Sequence, residues 1–370
     1  MNLNLSQVSK ATKKNFLTPS PKENPKGFIN SLIEIIQKEK IDYLIPTFEE
    51  ALYISYNLDK FQNLCEVFCS DYNTMSQLHN KWSFYKKLQL YEFPTLPTFL
   101  LRSENELKDM IIDTPFVIKS CYSRGSICFH KIENYSMIPK LKIESHNPLI
   151  AQKWAEGKKY CTFSVSHNGK IYAHTVYPVE YAIDGNSCIS FKAIEHKKIN
   201  EYVESFIAKE NYTGQAAFDF IENEDGTLYC IECNPRTTSG IHLFNPEDRV
   251  ADAFFQKNDQ MITPPLGRTK QLAIAMSLWG WRKGNPSHTF WGFFKKMFST
   301  KDVICTRKDL RPFLLQPFLF SIYFFKSLWN RLPLPAYFTS DLEWNGELAY
   351  KNEYSEEEPS KTSNEKVSSL

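Results

Sequence analysis

The chain has 370 residues, of which 42% are hydrophobic and 23% are charged, so it is long enough to bury a substantial core in two or three lobes. Its 44 Lys and Arg residues nearly balance 42 Asp and Glu residues, which gives a formal net charge of +2. This balance excludes a global field that attracts polyanions, and we expect no nucleic acid partner. Nine cysteines without framework spacing, in a chain without a signal peptide, indicate free thiols and a cytoplasmic protein.

The N-terminal part predicts a short α/β unit. Residues 1–27 are polar and lack periodicity, so we expect an extended lead-in. Apolar residues at helical spacing predict a helix over residues 27–40, and residues 41–46 have the pattern of a short buried strand. A further helix is expected to open at residues 47–50, which completes a helix–strand–helix unit with a parallel strand.

The central part predicts hairpins that alternate with single helices. The expected helices lie at residues 76–90 and 200–209, and the expected strands at 116–119, 127–130, 149–154, 160–165 and 170–175. Asn168-Gly169 predicts a tight turn between the last two strands. Such alternation is typical of α+β architecture.

The most informative segment is residues 218–236, FDFIENEDGTLYCIECNPR. Asp225-Gly226 predicts a two-residue type I′ turn between two strand-like runs. With that turn, the residues that face each other across the hairpin are Glu224 and Thr227, Glu222 and Tyr229, and Asp219 and Glu232.

The expected pair of Asp219 and Glu232 predicts a cation site. Opposed residues hold their Cβ atoms ~5 Å apart, and two carboxylates at that distance repel unless a cation lies between them. Alternation places Glu232, Asn234 and Arg236 on one face of the strand. Oxygen ligands beside a guanidinium suit Mg²⁺ and a phosphate, with Mn²⁺ as the alternative ion. A solvent-facing acidic hairpin is the other interpretation, and the apolar residues around the acids count against it.

Cys230 and Cys233 have the spacing of half a zinc site. Residues three apart on a regular strand point to opposite faces, so we do not expect these thiols to share a metal ion.

The run E-x-N-P-R at residues 232–236, preceded by Asp219 on the partner strand, resembles the metal-binding hairpin of the ATP-grasp superfamily. That superfamily includes carboxylate–amine ligases, biotin carboxylase and carbamoyl-phosphate synthetase. The resemblance is good over residues 80–245 and fainter over residues 28–79. It implies a chain with α/β and α+β parts, in which two α+β lobes grip a nucleotide.

The resemblance also implies a domain order. We expect a shortened Rossmann-like domain at residues 1–78, an ATP-grasp domain at 79–255, a mostly helical C-terminal subdomain at 256–350 and a disordered tail at 351–370. The family normally begins with one more strand–helix unit. Either the N-terminus is truncated, or residues 1–27 replace that unit.

The resemblance assigns a nucleotide site that binds ATP and Mg²⁺. It implies that Asp219, Glu232 and Asn234 hold the metal ion. The residues implied to contact the phosphates are Lys81, Lys119, Ser123, Arg124, Gly125 and Ser126. For Lys81, the alternative interpretation is a plain surface lysine on a helix.

Gln152, Lys153, Trp154 and Ala155 resemble the hinge whose backbone reads the adenine edge. Lys153 and Lys159 both stand where the family favours glutamate. The family glutamate at the position of Lys159 holds the ribose hydroxyls. A lysine ammonium cannot accept a hydrogen bond from a ribose hydroxyl. A degenerate nucleotide-binding scaffold without catalysis therefore remains an alternative.

The reaction implied by the resemblance joins a small-molecule or peptide carboxylate to an amine. The carboxylate is phosphorylated by ATP, the amine attacks the acyl phosphate, and ADP and phosphate are released. Arg236 is the implied catalytic residue, and residues 237–240 are expected to line the site of the acceptor carboxylate. The sequence identifies neither substrate, nor the oligomeric state.

Residues 282–331 carry ten Lys and Arg residues and two Asp residues, interleaved with Phe and Trp. The apolar run at 313–325 contains Gln316 and Pro317 and is too short for a transmembrane helix. The favoured interpretation is a helical subdomain packed on the ligase core, with its basic residues solvated. The alternative is contact of residues 290–331 with a membrane surface, in a ligase that acts on a lipid-linked substrate.

Overall fold

The computed structural model describes residues 4–123, 129–183, 187–282 and 290–355. The α-helices are α1 Pro25–Glu39, α2 Glu50–Ser55, α3 Tyr72–His79, α4 Lys81–Leu90, α5 Glu106–Asp109, α6 Lys197–Lys209, α7 Ala251–Phe254, α8 Ala273–Trp279, α9 Phe290–Ser299, α10 Arg311–Trp329, α11 Leu334–Tyr337 and α12 Glu347–Ser355.

The strands form four sheets. They are β1 Tyr43–Leu44, β2 Glu66–Val67, β3 Thr98–Leu101, β4 Phe116–Ser120, β5 His130–Ile132, β6 Leu149–Lys153, β7 Lys158–His167, β8 Lys170–Pro178, β9 Tyr181–Ile183, β10 Ser187–Lys192, β11 Gly214–Glu222, β12 Leu228–Asn234, β13 Thr269–Gln271 and β14 Lys301–Asp302. The sheet orders are β1-β2, β3-β6-β4-β5, β12-β11-β7-β8 and β14-β13-β10-β9.

The N-terminal α/β unit is confirmed in reduced form. Helix α1 begins after Asn24, whose side chain accepts a hydrogen bond from the N–H of Gly27. The strand expected over residues 41–46 is only two residues long, and it pairs in parallel with β2. Residues 4–24 contribute no strand.

The C-terminal end of the described chain completes this unit. Trp344 is 1% exposed, and its ring contacts the rings of Tyr53 at 4.7 Å and Tyr72 at 5.7 Å between centroids. Helix α12 follows and extends to Ser355, five residues into the segment that the sequence predicts as a tail. The remaining tail residues lie outside the described ranges.

The helix expected over residues 76–90 is two helices, α3 and α4. Asn80 has extended backbone angles between them, and its side chain accepts hydrogen bonds from the N–H groups of Trp82 and Ser83. The apolar spacing is similar on both sides of the break, whereas the asparagine cap starts a new helix at Lys81. This break places Lys81 at a helix start.

The second lobe is the sheet β12-β11-β7-β8, covered by α4 and α6. Phe84 of α4 and Phe206 of α6 pack on Phe218 of β11 in one buried cluster. The β7–β8 turn is confirmed, because His167 pairs with Lys170 around the two-residue turn.

The turn between β11 and β12 has three residues instead of the predicted two. The N–H of Gly226 donates to the carbonyl of Asn223 at 2.9 Å, and the N–H of Asn223 donates to the carbonyl of Thr227 at 3.0 Å. Gly226 has φ of 77°, the left-handed residue that closes a common three-residue hairpin loop. The predicted pair of Glu224 and Thr227 is wrong, because Glu224 belongs to the loop.

The longer turn shifts the register by one residue, and a one-residue bulge shifts it back. Glu222 pairs with Leu228, so the predicted pair of Glu222 and Tyr229 is wrong. Beyond the bulge, Asp219 pairs with Glu232, as predicted. The two departures from a regular hairpin cancel at the acid pair.

The same bulge overturns the prediction that Cys230 and Cys233 point to opposite faces. Cys230 pairs with Phe220 and Cys233 with Phe218, and all four lie in one buried apolar cluster. In the described ranges, no group of three His, Cys, Asp or Glu side chains is arranged to hold a metal ion. These two thiols are core residues.

The C-terminal part is mostly helical, as predicted, and is joined to the small sheet β14-β13-β10-β9. None of its described helices, nor any other described helix, is long and apolar enough to cross a membrane. The predicted domain boundaries stay predictions.

Candidate active site

A cavity of about 250 Å³ lies between the sheet β3-β6-β4-β5, which forms the first lobe, and the sheet of the second lobe. The described residues of the predicted site all line it: Lys81, Lys119, Ser123, Gln152, Lys153, Trp154, Ala155, Lys159, Asp219, Glu232, Asn234 and Arg236. Arg124, Gly125 and Ser126 lie outside the described residues.

Strand alternation directs Lys119 into this cavity. Phe116 and Ile118 of β4 face the apolar cluster of the first lobe, so Val117 and Lys119 face the cavity. Lys119 is buried, and this burial, together with the charge of Lys81, lowers the pKa of its ammonium group to about 8. A buried lysine with little charge compensation is well suited to bind an anion.

Lys81 connects three parts of the site. Its Nζ donates to the carbonyl of Ser123 at 2.7 Å and lies 3.5 Å from Oε2 of Glu232. Lys81 is 5% exposed, so the interpretation as a plain surface lysine is wrong. The ammonium group joins the start of α4, the segment after β4 and the acid pair.

Asp219 and Glu232 face each other across β11 and β12. Asp219 makes no ion pair with a described residue, and the amide of Asn234 donates to its Oδ2 at 3.5 Å. Burial, and next the charge of Glu232, raise the pKa of the Asp219 carboxyl group to about 6. Two carboxylates and an amide oxygen form a ligand set of the kind that hard divalent cations prefer.

Arg236 is fixed by four groups. Its guanidinium donates to Oδ1 of Asn234 at 3.2 Å, to the carbonyl of Thr237 at 3.2 Å and to Oε1 of Glu49 at 3.4 Å. It also lies 4.6 Å from the ring centroid of Phe48. The Nε of Arg236 is buried and has no hydrogen-bond partner in the described structure, so a donor remains for an oxyanion.

The sequence did not identify Glu49 as part of this site. Glu49 is 1% exposed, and its Oε2 accepts a hydrogen bond from the N–H of Trp344 at 2.9 Å. It lies 187 residues from Arg236 along the chain. One usable signal was its position after the carboxyl end of β1, because ligands bind at that edge of parallel sheets.

The hinge after β6 is held by its own backbone. The N–H of Lys153 donates to the carbonyl of Pro97 at 2.9 Å, and the N–H of Trp154 donates to the carbonyl of Pro115 at 3.1 Å. The next N–H along the hinge belongs to Ala155, which lines the cavity.

The sequence patterns also did not predict an apolar wall of the cavity near this hinge. It consists of Leu96, Val117, Phe129, Ile221 and Ile231. The bulge explains the last member, because it sets Ile231 on the cavity side next to Glu232. An apolar wall of this kind suits an aromatic base.

Lys153 and Lys159, which stand where the family favours glutamate, offer no hydrogen-bond acceptor to a ribose. Nζ of Lys153 donates to the carbonyl of Asp113 at 3.1 Å. Nζ of Lys159 lies 6.0 Å from the ring centroid of Trp154, and burial lowers the pKa of its ammonium group.

The segment after Arg236 is divided between the cavity and the core. Thr238 and Ser239 line the cavity, whereas the Thr237 hydroxyl donates to Oε1 of Gln215. Gly240 is buried, and a side chain there would lie 2.5 Å from Cβ of Phe163. Of the four residues expected to line an acceptor site, two face the cavity.

The comparisons with known proteins agree with this architecture. The model of the ATP-grasp domain family matches residues 78–240, which include every residue of the predicted site. Residues 78–240 therefore form an ATP-grasp domain. A search of the curated proteins finds no match to the sequence.

Solved structures with a similar fold include N5-carboxyaminoimidazole synthetase from Staphylococcus aureus complexed with ADP. It has a TM-score of 0.51 and 14% identity, over 65% of this chain and 66% of that chain. An ADP complex of an N5-carboxyaminoimidazole ribonucleotide synthetase has a TM-score of 0.50 and 14% identity, over 64% and 66% of the two chains. L-amino acid ligase from Bacillus licheniformis has a TM-score of 0.48 and 14% identity, over 60% and 57%.

The first two of these similarities show the ATP-grasp fold of this chain. The aligned part spans 57% to 66% of the three solved chains, so activity and substrates are matters for proposal.

The lowered pKa of Lys119 predicts how ATP affinity depends on pH. The ammonium group is charged below pH about 8, and Asp219 is already ionised above pH about 6. Affinity for ATP without metal should therefore be steady between pH about 7 and 8 and fall as the pH rises further. The fall approaches tenfold per pH unit until the pKa of the ATP complex is reached. Calorimetric titration of ATP in the presence of a chelator measures the profile.

The matched variant is Lys119→Arg, because a guanidinium stays charged across this range. If the variant binds ATP, its affinity should not fall above pH about 8. A wild-type affinity that is constant through this range would contradict the assignment of Lys119 to the phosphates.

Proposed function

We propose that this protein is a Mg²⁺-dependent ligase that uses ATP to activate a carboxylate as an acyl phosphate. An amine then attacks, a C–N bond forms, and ADP and phosphate are released. One observation carries the proposal: a single cavity unites the facing Asp219 and Glu232 with two buried lysines and Arg236. We further propose that the enzyme acts in the cytoplasm.

Asp219, Glu232 and Asn234 are the residues that would hold Mg²⁺, or Mn²⁺ as the alternative ion. The raised pKa of Asp219 supports this assignment, because burial and the facing charge of Glu232 disfavour its ionised form, and a cation between the two acids would favour that form. When bound, the ion supplies positive charge to the β- and γ-phosphate oxygens of ATP.

The nucleotide is proposed to lie along the cavity from hinge to acid pair. The N–H of Ala155 and the apolar wall with Leu96 and Ile221 would bind the adenine. Lys119 and Lys81 would neutralise the phosphates.

Arg236 is proposed to stabilise the charge that develops during transfer of the phosphoryl group. Its guanidinium is fixed by Glu49 and Asn234, and a preorganised donor needs no reorganisation during the reaction. Thr238 and Ser239 would line the place of the acceptor carboxylate.

Phosphate release across a panel of amino acids and other carboxylates, each with an amine pool, tests this function. We expect at least one carboxylate to stimulate phosphate release, with none from Asp219→Ala. The alternative of a scaffold predicts Mg²⁺-dependent ATP binding with no stimulated release for any member of a broad panel.

Arg236→Ala should abolish turnover while ATP binding largely survives. The loss of one preorganised donor costs about 10² to 10³ in kcat, whereas ATP affinity should change by less than about tenfold. Single-turnover kinetics and calorimetry measure the two effects. The control is Arg307→Ala at an exposed position away from the cavity, and a fully active Arg236→Ala enzyme would remove this residue from the chemistry.

A second candidate function is a ligase that works at a membrane surface. Helix α10 exposes Leu314, Phe318, Phe325 and Trp329 by 72%, 58%, 68% and 89%, at spacings that place them on one side of the helix. An exposed apolar face in a segment of net charge +8 is of the kind that binds anionic bilayers.

Flotation with vesicles that contain phosphatidylserine tests this candidate. We expect salt-sensitive binding that is lost when Leu314, Phe318 and Trp329 are all changed to Ser. Absence of flotation at low salt would exclude the membrane function and would favour the solvated helical subdomain.

A further inference from the structure

A second, larger cavity adjoins the proposed active site. Its volume is about 600 Å³, within the range of ligand pockets. Its walls come from β9, β10, α8, α10 and α11, together with the first described residues of the chain. Neither the nucleotide nor the metal ion of the proposed function uses this space.

The walls of this cavity are largely apolar. Helix α10 contributes Gln316, Leu319, Phe320 and Tyr323, which lie at helical spacing on one side. Helix α8 contributes small residues opposite them, including Ala275. With few polar atoms in its walls, the cavity favours a hydrocarbon body over a charged or sugar-like one.

The two cavities meet at Cys188 and Ser239, which line both of them. Ser239 lies three residues after Arg236, in the segment assigned to the acceptor carboxylate. Burial, and then the charges of Glu180 and Asp219, raise the pKa of the Cys188 thiol to about 12. A ligand in the larger cavity can therefore present one end to the reacting groups.

We propose that the larger cavity binds the body of the carboxylate substrate, and that this substrate is a carboxylic acid with an extended apolar chain. Its carboxylate lies at the junction beside Ser239, towards Arg236 and the γ-phosphate. The chain extends between α8 and α10. This assignment rests on the proposed ligase function and names its substrate class.

Calorimetric titration of unbranched carboxylates, from butanoate to hexadecanoate, in the presence of Mg²⁺ and ADP tests the proposal. Affinity should rise roughly fourfold for each methylene group that enters the cavity and then level off when the cavity is full. Dodecylamine should bind much more weakly than dodecanoate, because Arg236 faces the polar end. An affinity independent of chain length, or equal binding of the amine, would overturn the proposal.

The matched variants lie on α8. Ala275→Phe fills the cavity and should weaken dodecanoate binding at least tenfold, with the plateau at a shorter chain. Ser277→Phe on the exposed side of α8 adds the same ring outside the cavity and should bind as wild type. Gln316→Phe fills the cavity from the opposite wall and serves if Ala275→Phe does not fold, as judged by its melting temperature and ADP binding.

Adsorption to the exposed face of α10 is checked with Trp329→Ser, which should leave dodecanoate affinity unchanged. Wild-type binding by both cavity-filling variants, or loss of binding in Trp329→Ser, would contradict the cavity assignment. These measurements need no turnover. Failure of the carboxylate panel to release phosphate would remove the ligase function, whereas failure of chain-dependent binding would remove only this substrate class.

Discussion

The repulsion between Asp219 and Glu232 is the constraint on which the site depends. The hairpin holds the two acids opposite each other in a partly buried cavity, where burial and mutual repulsion raise the pKa of Asp219 to about 6. Relative to an ordinary carboxyl group, this corresponds to roughly 3 kcal/mol against the ionised form. Arg236 binds Glu49, and Lys81 lies 3.5 Å from Glu232 while it donates to the Ser123 carbonyl. Their charges lower the pKa of Asp219 without outweighing burial and repulsion.

The unfavourable free energy of ionising Asp219 is explained by a site that binds a charged ligand. A divalent cation between the acids would remove the repulsion, and phosphates would then bind the buried Lys119 and Lys81. Sites that bind charged ligands commonly keep such unfavourable arrangements in the free protein. The same reasoning connects the fold to the proposed chemistry, because the sheets fix the positions of both the acids and the lysines.

The sequence predicted the acid pair correctly for a partly incorrect reason. It assumed a regular two-residue turn, whereas the hairpin has a three-residue loop and a compensating bulge. Asp-Gly is compatible with both loops, and a bulge depends on how the strand packs against its neighbours. The prediction for Cys230 and Cys233 failed for that reason, since it relied on alternation across the bulge.

Local patterns were sufficient for the strands and helices that carry the site. The direction of Lys119 into the cavity follows from the alternation of side chains along β4, and the β7–β8 turn follows from Asn168-Gly169. Local sequence patterns could not predict contacts between segments that are distant along the chain. The pairing of Glu49 with Arg236 and the burial of Trp344 in the N-terminal unit join residues that are far apart in sequence, and no periodicity encodes them. The larger cavity likewise arises between elements whose packing the sequence does not specify.

The stability of the protein without and with ligand tests the central claim most directly. Because the folded pKa of Asp219 lies above the ordinary value, its ionisation destabilises the fold fully above pH about 6, and this loss is relieved as the pH falls from about 6 to the ordinary value of 3.8. At neutral pH with a chelator, Asp219→Asn should therefore melt at or above the wild-type temperature. Addition of Mg²⁺ and ADP should raise the melting temperature of the wild type by much more than it raises that of the variant. A less stable metal-free variant, or equal stabilisation of both proteins by Mg²⁺ and ADP, would contradict a cation site built on two repelling carboxylates.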